Sequence, residues 1–326
     1  MEKFSQFRDR GSGISPFMPT TTPSSPLASL LHAVLFLVRL PFLLSYLLFY
    51  FTVLHHLPLP VVARKLFLWG LMAIPGICWV DLQIDGVKRG SLSQQPASRV
   101  PHPHSILAAN FTSPIDALYL AAVFDPIFTV SYPHSRKVRR VGLLGAILHA
   151  LAPSQLSPPN PSDLTDLRAL LLRYPDRVIA VFPECATTNG KGILPLSPSL
   201  LAAPADVPVF PVSMRYTPPD VTTPVPGAAA AAGFLWKLLS RPTHCIRVRI
   251  AEGVVNSSAA ATNGISSSSS HGATAGNDDN DTTPEERRFL DRVAEALARL
   301  GRAKRVGLTL RDKAAFVEAW RKKGRR

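Results

Sequence analysis

An α/β domain with a largely parallel sheet, carried behind a block of membrane-embedded helices, is the architecture the sequence predicts. Short β-branched runs alternate with amphipathic stretches between residues 81 and 255, the pattern that builds parallel sheets covered by helices. An uncharged apolar block precedes them, with no Asp, Glu, Lys or Arg at 27–38 or 40–63. The length of 326 residues leaves room for one large domain and such a block.

Composition narrows the functional classes. A hydrophobic share of 46% and a mean hydropathy of +0.14 exclude a wholly disordered chain, which lacks the apolar surface to offset ordering entropy. With 36 Lys+Arg against 22 Asp+Glu, the net charge of +14 points to an anionic partner: a phospholipid headgroup, a phosphorylated substrate or nucleic acid. Nucleic acid fits worst, because no aromatic platforms interleave with the basic groups and no recognised binding motif occurs. Cys78, Cys185 and Cys245 form no C-x-x-C pair and suit a reducing compartment. His102, His104, His134 and His149 lack metal-ligand spacing, so no metal is expected.

Taken in order, residues 1–26 are Ser/Thr/Pro-rich and are expected to be a disordered tail. Residues 27–80 read as a membrane-embedded helical segment that is retained rather than cleaved. Its first run exceeds the roughly 20 apolar residues a crossing needs, though Arg39 and Pro41 interrupt it. The second, 66–80, is broken by Pro75-Gly76 and reads as re-entrant or interfacial, with Trp69 and Trp79 at headgroup level. In the domain at 81–255, strands are expected at 106–109, 127–131, 178–182, 207–214 and 246–250. Helices are expected at 115–123, 141–151 and 164–172, the last capped by Ser162 or Asp163. Residues 226–232 read as a small-residue connector and 256–283 as a low-complexity disordered insertion. Residues 284–326 read as a basic helical tail. Pro284, Glu285 and Glu286 open a helix that aligns Phe289, Val293, Leu297 and Leu300 on one face. From Arg302 onward ten Lys/Arg face only Asp312 and Glu318, a surplus that suits anionic lipid.

Chemistry-bearing residues collect at the ends of expected strands, where α/β domains place their sites. Asn110-Phe111-Thr112-Ser113-Pro114-Ile115-Asp116 follows one strand and enters a helix. Phe182-Pro183-Glu184-Cys185-Ala186-Thr187-Thr188-Asn189-Gly190-Lys191 follows another, and Val207-Pro208-Val209-Phe210-Pro211 opens a third. Together, over about 85–251, these blocks resemble the PlsC-type glycerophospholipid acyltransferases, and more narrowly the fungal lysophosphatidic acid acyltransferases of the endoplasmic reticulum and lipid droplet. In that family the blocks read N-H-x-S-x-x-D, F-P-E-G-T and a V-P-V strand. The resemblance implies acyl-CoA as co-substrate with no other cofactor, a lysophospholipid acceptor and a membrane bilayer as partner. It also implies a histidine base, oriented by the aspartate, that takes the acceptor hydroxyl proton as the thioester is attacked.

Carried over residue by residue, the resemblance assigns the catalytic positions to Asp116 and Phe111, and substrate contacts to Asn110, Ser113, Glu184, Cys185, Thr187 and Lys191. The basic run holding Arg136, Lys137, Arg139 and Arg140 stands where the family keeps a phosphate-binding block, and it is expected as a loop ahead of a helix N-terminus, which favours anions. Phe111 occupies the histidine position, and a phenyl ring cannot accept a proton. Three accounts follow. The base comes from His102, His104, His149 or Asp116 itself; the chain is an impaired homologue that binds lipid; or Cys185, in place of the family glycine, accepts the acyl group. All three need the Asn110 loop and the Glu184 loop to meet at one sheet edge.

Overall fold

The computed structural model describes residues 2–22, 25–54, 56–87, 99–257 and 282–324. Its strands are β1 (Ile77–Ile84), β2 (Ile106–Ala109), β3 (Ile127–Val130), β4 (Val138–Val141), β5 (Leu164–Thr165), β6 (Ile179–Val181), β7 (Gly192–Ile193), β8 (Val209–Thr217), β9 (His244–Ile250) and β10 (Lys304–Arg305). Eight of them form one sheet in the order β1-β9-β8-β2-β6-β3-β4-β5. The centre, β8-β2-β6-β3, is parallel throughout, whereas β8 with β9, β3 with β4 and β4 with β5 are antiparallel. Strands β2 and β6 are apolar and buried along their whole length, as strands covered on both faces must be.

The helices are α1 (Pro26–Phe49), α2 (Val61–Ala73), α3 (Pro114–Phe124), α4 (Leu143–Leu151), α5 (Leu167–Arg173), α6 (Ala228–Ser240), α7 (Pro284–Gly301) and α8 (Leu310–Gly324). One face of the sheet is filled from α2, α3, α4 and α6, around Met72, Leu120, Ala146 and Leu238. The other is filled from α5 and α7, with Leu170, Phe289, Val293 and Leu297 against Ile106, Ile179 and Val209.

Several expectations are corrected by tertiary context. The expected tail at 1–26 is not loose over its described residues 2–22: Phe4 and Phe7, within a 3₁₀ turn at Glu2–Phe7, and Phe17 beyond it are buried. Their ring centroids lie 5.6, 5.3 and 6.0 Å from that of Phe316 on α8. The run at 66–80 is split between α2 and β1, because β9 offers a parallel edge to the latter. Trp79 therefore stands on a strand, and Trp69 packs edge-on against Tyr119 at 6.4 Å. The basic run at 136–140 is a loop only at Arg136 and Lys137: Arg139 and Arg140 lie on Val138–Val141, which pairs with β3, and the helix starts only at Leu143. Leu164–Thr165 is a short strand, so the next helix is capped at Asp166 rather than at Ser162 or Asp163. The 226–232 connector mostly forms the first turns of α6, where an alanine run has high helix propensity. In the expected tail at 284–326, the described residues 284–324 contribute to the core, since α7 covers a sheet face and α8 clasps the N-terminal segment. Most of the low-complexity stretch, 258–281, lies outside the described residues.

Ahead of the sheet, the stretch Ala28–Leu54 is long and apolar enough to cross a membrane. Leu30, Leu31, Leu37, Phe42 and Leu48 on α1 are exposed. The opposite side is bound to the domain. Arg39 donates to Pro75 O at 3.3 Å, Leu239 O at 3.4 Å, Arg241 O at 2.5 Å and Pro242 O at 3.0 Å. Tyr46 OH donates to Phe67 O at 2.9 Å, and Phe36 meets Trp236 at 4.9 Å between centroids.

Candidate active site

Because β2 and β6 are parallel neighbours, the segments leaving their carboxyl ends emerge side by side. Glu184, fully buried, joins them. Its Oε1 accepts from Phe111 N at 3.2 Å and its Oε2 from Leu194 N at 3.0 Å. Thr188 N donates to Phe111 O at 3.0 Å, so the two loops meet at backbone level as well.

Asn110 serves the sheet. Its side-chain amide donates to Met214 O at 3.0 Å and accepts from Met214 N at 2.8 Å, extending the β2–β8 ladder. Ser113 caps α3, accepting from Ile115 N at 3.3 Å and donating to Val221 O at 2.9 Å. Asp116 closes the capping box: its Oδ2 accepts from Thr112 N at 2.6 Å and Ser113 N at 2.8 Å. Thr112 Oγ1 adds a bond at 3.1 Å, and the Tyr216 hydroxyl donates to Oδ1. Burial pushes the Asp116 carboxyl up to about 6 against the pull of those donors.

Phe111 fills the family histidine position between two rings: Phe182 at 4.6 Å and 27°, and His149 at 5.8 Å and 14°. His149 lies in the last turn of α4. Burial pulls its imidazole down to about 4, with Arg139 and Lys313 adding to the effect, so it is neutral at pH 7. The other two candidate bases lie elsewhere. His104 precedes β2 and His102 meets Phe210 edge-on, which places both at the amino edge of the sheet, opposite the site.

Three assigned contacts are closed to a substrate. Cys185 is buried with its thiol pushed up to about 12 by burial, which withholds the thiolate an acyl acceptor needs. Its backbone sits at φ 57°, the left-handed region that glycine occupies without steric cost. Thr187 Oγ1 donates to Thr223 O at 2.6 Å. Arg140 turns away, donating to Tyr174 OH at 2.5 Å and lying 4.9 Å over that ring. Arg139 remains on the His149 side, and Lys191 is exposed. Lys191 lines a pocket of about 150 Å³ with Thr112, Gly190, Arg215, Tyr216 and Thr222. Among the described residues no three His, Cys, Asp or Glu side chains gather to hold a metal ion.

No family model matches the sequence. A Schizosaccharomyces pombe protein, named provisionally as a lysophosphatidic acid:oleoyl-CoA acyltransferase, is 27% identical over 335 residues, which is 99% of each chain. The chain is similar to fungal lysophosphatidic acid acyltransferases. The Saccharomyces cerevisiae lysophosphatidic acid:oleoyl-CoA acyltransferase 1 is 26% identical over 202 residues, 60% of this chain and 61% of that protein. The similarity to the first of these acyltransferases takes in the N-terminal apolar block and the C-terminal helices as well as the sheet.

Two residues beside the acyltransferase-like loops were not anticipated. Lys313, 1% exposed, donates from Nζ to Thr187 O at 2.7 Å and to Thr187 Oγ1 at 3.1 Å. Burial lowers its ammonium to about 7 and raises the Glu184 carboxyl to about 8, so burial drives both groups toward neutrality while the smaller attraction between them favours their charged forms. Its signal in the sequence was its place in the helical stripe Leu310, Lys313, Phe316, Val317. Tyr216 was signalled by the period-two alternation Val212, Met214, Tyr216 along β8. A cleft of about 650 Å³, lined by Val225, Phe234, Lys237, Trp320 and Arg321, adjoins the smaller pocket, with Thr222 lining both.

Proposed function

We propose that the chain transfers the acyl group of acyl-CoA to the free hydroxyl of a lysophospholipid, lysophosphatidic acid foremost, releasing phosphatidic acid and CoA at a membrane surface of the endoplasmic reticulum or lipid droplet. The observation that carries this reading is the buried Glu184 carboxyl group, which holds the two motif loops together at one sheet edge. The large cleft with its apolar wall suits an acyl chain, and Lys191 with Arg215 at the small pocket suits a phosphate. His149 supplies the base. Its neutral imidazole takes the hydroxyl proton as the acceptor oxygen attacks the thioester carbonyl, and returns it to the CoA sulfur as the tetrahedral intermediate collapses. No cofactor beyond acyl-CoA enters this scheme.

The Arg39 ties hold α1 along the domain, so its exposed apolar side rests in one face of a bilayer as an interfacial helix.

A second reading, a lipid-binding homologue without turnover, is favoured by one observation. Asp116 commits its oxygens to Thr112, Ser113 and Tyr216, leaving the histidine-orienting role unfilled. Purified full-length protein assayed with oleoyl-CoA and lysophosphatidate separates the two. Turnover is expected in the wild type and a loss of about 100-fold or more in His149→Ala. Equal background rates in both would sink the catalytic reading and leave the second.

A further inference from the structure

The side chains of β8 and β9 alternate, and while Met214 and Tyr216 enter the core, the intervening residues face α7. Cross-strand register sets Ser213 opposite Arg249 and Arg215 opposite Arg247. At this point α7 ends: Gly301 passes so close that a Cβ there would stand 2.9 Å from Ser213 Oγ. Arg302 follows in the left-handed region at φ 47° as the residue that ends the helix. Ser213, Arg215, Arg247, Arg249, Leu300 and Arg302 thus enclose a recess of about 40 Å³.

Three features of this recess ask for a ligand. Ser213 is 1% exposed and its hydroxyl has no hydrogen-bond partner, an arrangement that costs free energy unless something bonds to it. Asp81 stands beside Arg247 in the β1–β9 register, which still leaves four guanidinium groups with a surplus of positive charge. Their repulsion is felt: after burial, Arg247, Arg302 and Arg249 each pull the Arg215 guanidinium below its ordinary value. The volume admits a compact tetrahedral anion, about three times what a single water needs and too little for a ring or an acyl chain. Planar guanidinium forks match phosphate oxygens, and a serine hydroxyl donates to the oxygen left over.

We propose that this recess binds a phosphomonoester dianion of a substrate. It rests on the acyl-transfer reading, because Arg215 also lines the pocket beside Thr112, Lys191 and Tyr216 and so links the two places. Both substrates of that reaction carry the group: CoA at its ribose 3′ position, and lysophosphatidate at its headgroup.

The test is equilibrium binding by titration calorimetry on detergent-solubilised full-length protein, with CoA, dephospho-CoA, lysophosphatidate and inorganic phosphate as probes. The double variant Arg247→Gln/Arg249→Gln and the single variant Ser213→Ala are compared with the wild type, thermal melts confirming that each folds. The double variant is expected to weaken one phosphorylated substrate by about 10- to 100-fold and to flatten its salt dependence. If that substrate is CoA, dephospho-CoA binds the wild type as weakly as CoA binds the variant. If it is lysophosphatidate, CoA and dephospho-CoA bind alike. Identical constants for all probes in wild type and variants overturn the proposal. Arginine-dependent binding in a protein that shows no acyl transfer would keep the site and discard the catalytic reading instead.

Discussion

At Phe111 an apolar ring stands where the resemblance expects an imidazole. The ring is packed between Phe182 and His149, and the neighbouring Asp116 is already saturated by its own helix and Tyr216. Phe111→His is therefore expected to lower the melting temperature and to leave kcat below wild type. A gain of tenfold or more would show that Asp116 can take the new imidazole as its partner. His149 gives a second prediction. Its folded-state value, about 4, lies below its unfolded value of 6.5, so acid protonates the unfolded chain first and stability is lost as pH falls from 6.5 towards 4. Asp116 acts in the opposite sense over an overlapping range, because its folded value is raised. It is common to wild type and His149→Phe, so the difference between their denaturation midpoints isolates the histidine. The variant is expected to lose less stability between pH 6.5 and 4 than the wild type. A parallel pair of curves would refute the neutral imidazole.

Among the elements, those with an uninterrupted pattern were legible from sequence. Helix α7 announced itself by Pro284, two glutamates and a four-residue apolar stripe, and the capping box of Thr283 and Glu286 completes it. The motif strands β2 and β6 were legible as short apolar runs. Elements stabilised by remote partners were not: β4 is half arginine in Val138–Val141 and exists because β3 offers it a ladder, and β5 is two residues long. The same contrast marks the site. Asn110, Ser113 and Asp116 sat at the predicted strand-to-helix turn, but that their side chains serve the ladder and the cap depends on Met214 and Tyr216, far along the chain. Asp116→Asn replaces an acceptor with a donor facing donors. It is expected to cost about 1–3 kcal/mol by thermal denaturation, with Asp116→Ala at least as damaging.

For the whole molecule, the sequence divided what the fold unites. The two ends read as tails, yet Phe4, Phe7 and Phe17 meet Phe316 and Trp320, and Asn189 donates to Ser15 O at 2.8 Å and Met18 O at 2.9 Å. Aromatic residues spread thinly among Ser, Thr and Pro carry no periodic signal, so their joint burial is visible only when the ends are brought together. Phe316→Ala is expected to cost about 3–5 kcal/mol and to speed tryptic cleavage after Arg8 and Arg10. Unchanged cleavage would show that the segment is held by other means. Lys313 was hidden for a related reason: ten cations in one basic stretch look alike until a helix buries one face.

Arg39 fastens the middle of the long apolar helix to four backbone carbonyls outside it. On the proposed function, a pin at that position would fix the height of the domain over the lipid tails, as a keel fixes the waterline of a hull. Lipids would then reach the cleft by sliding sideways within a single leaflet, and product would leave by the same plane without ever being dissolved in water.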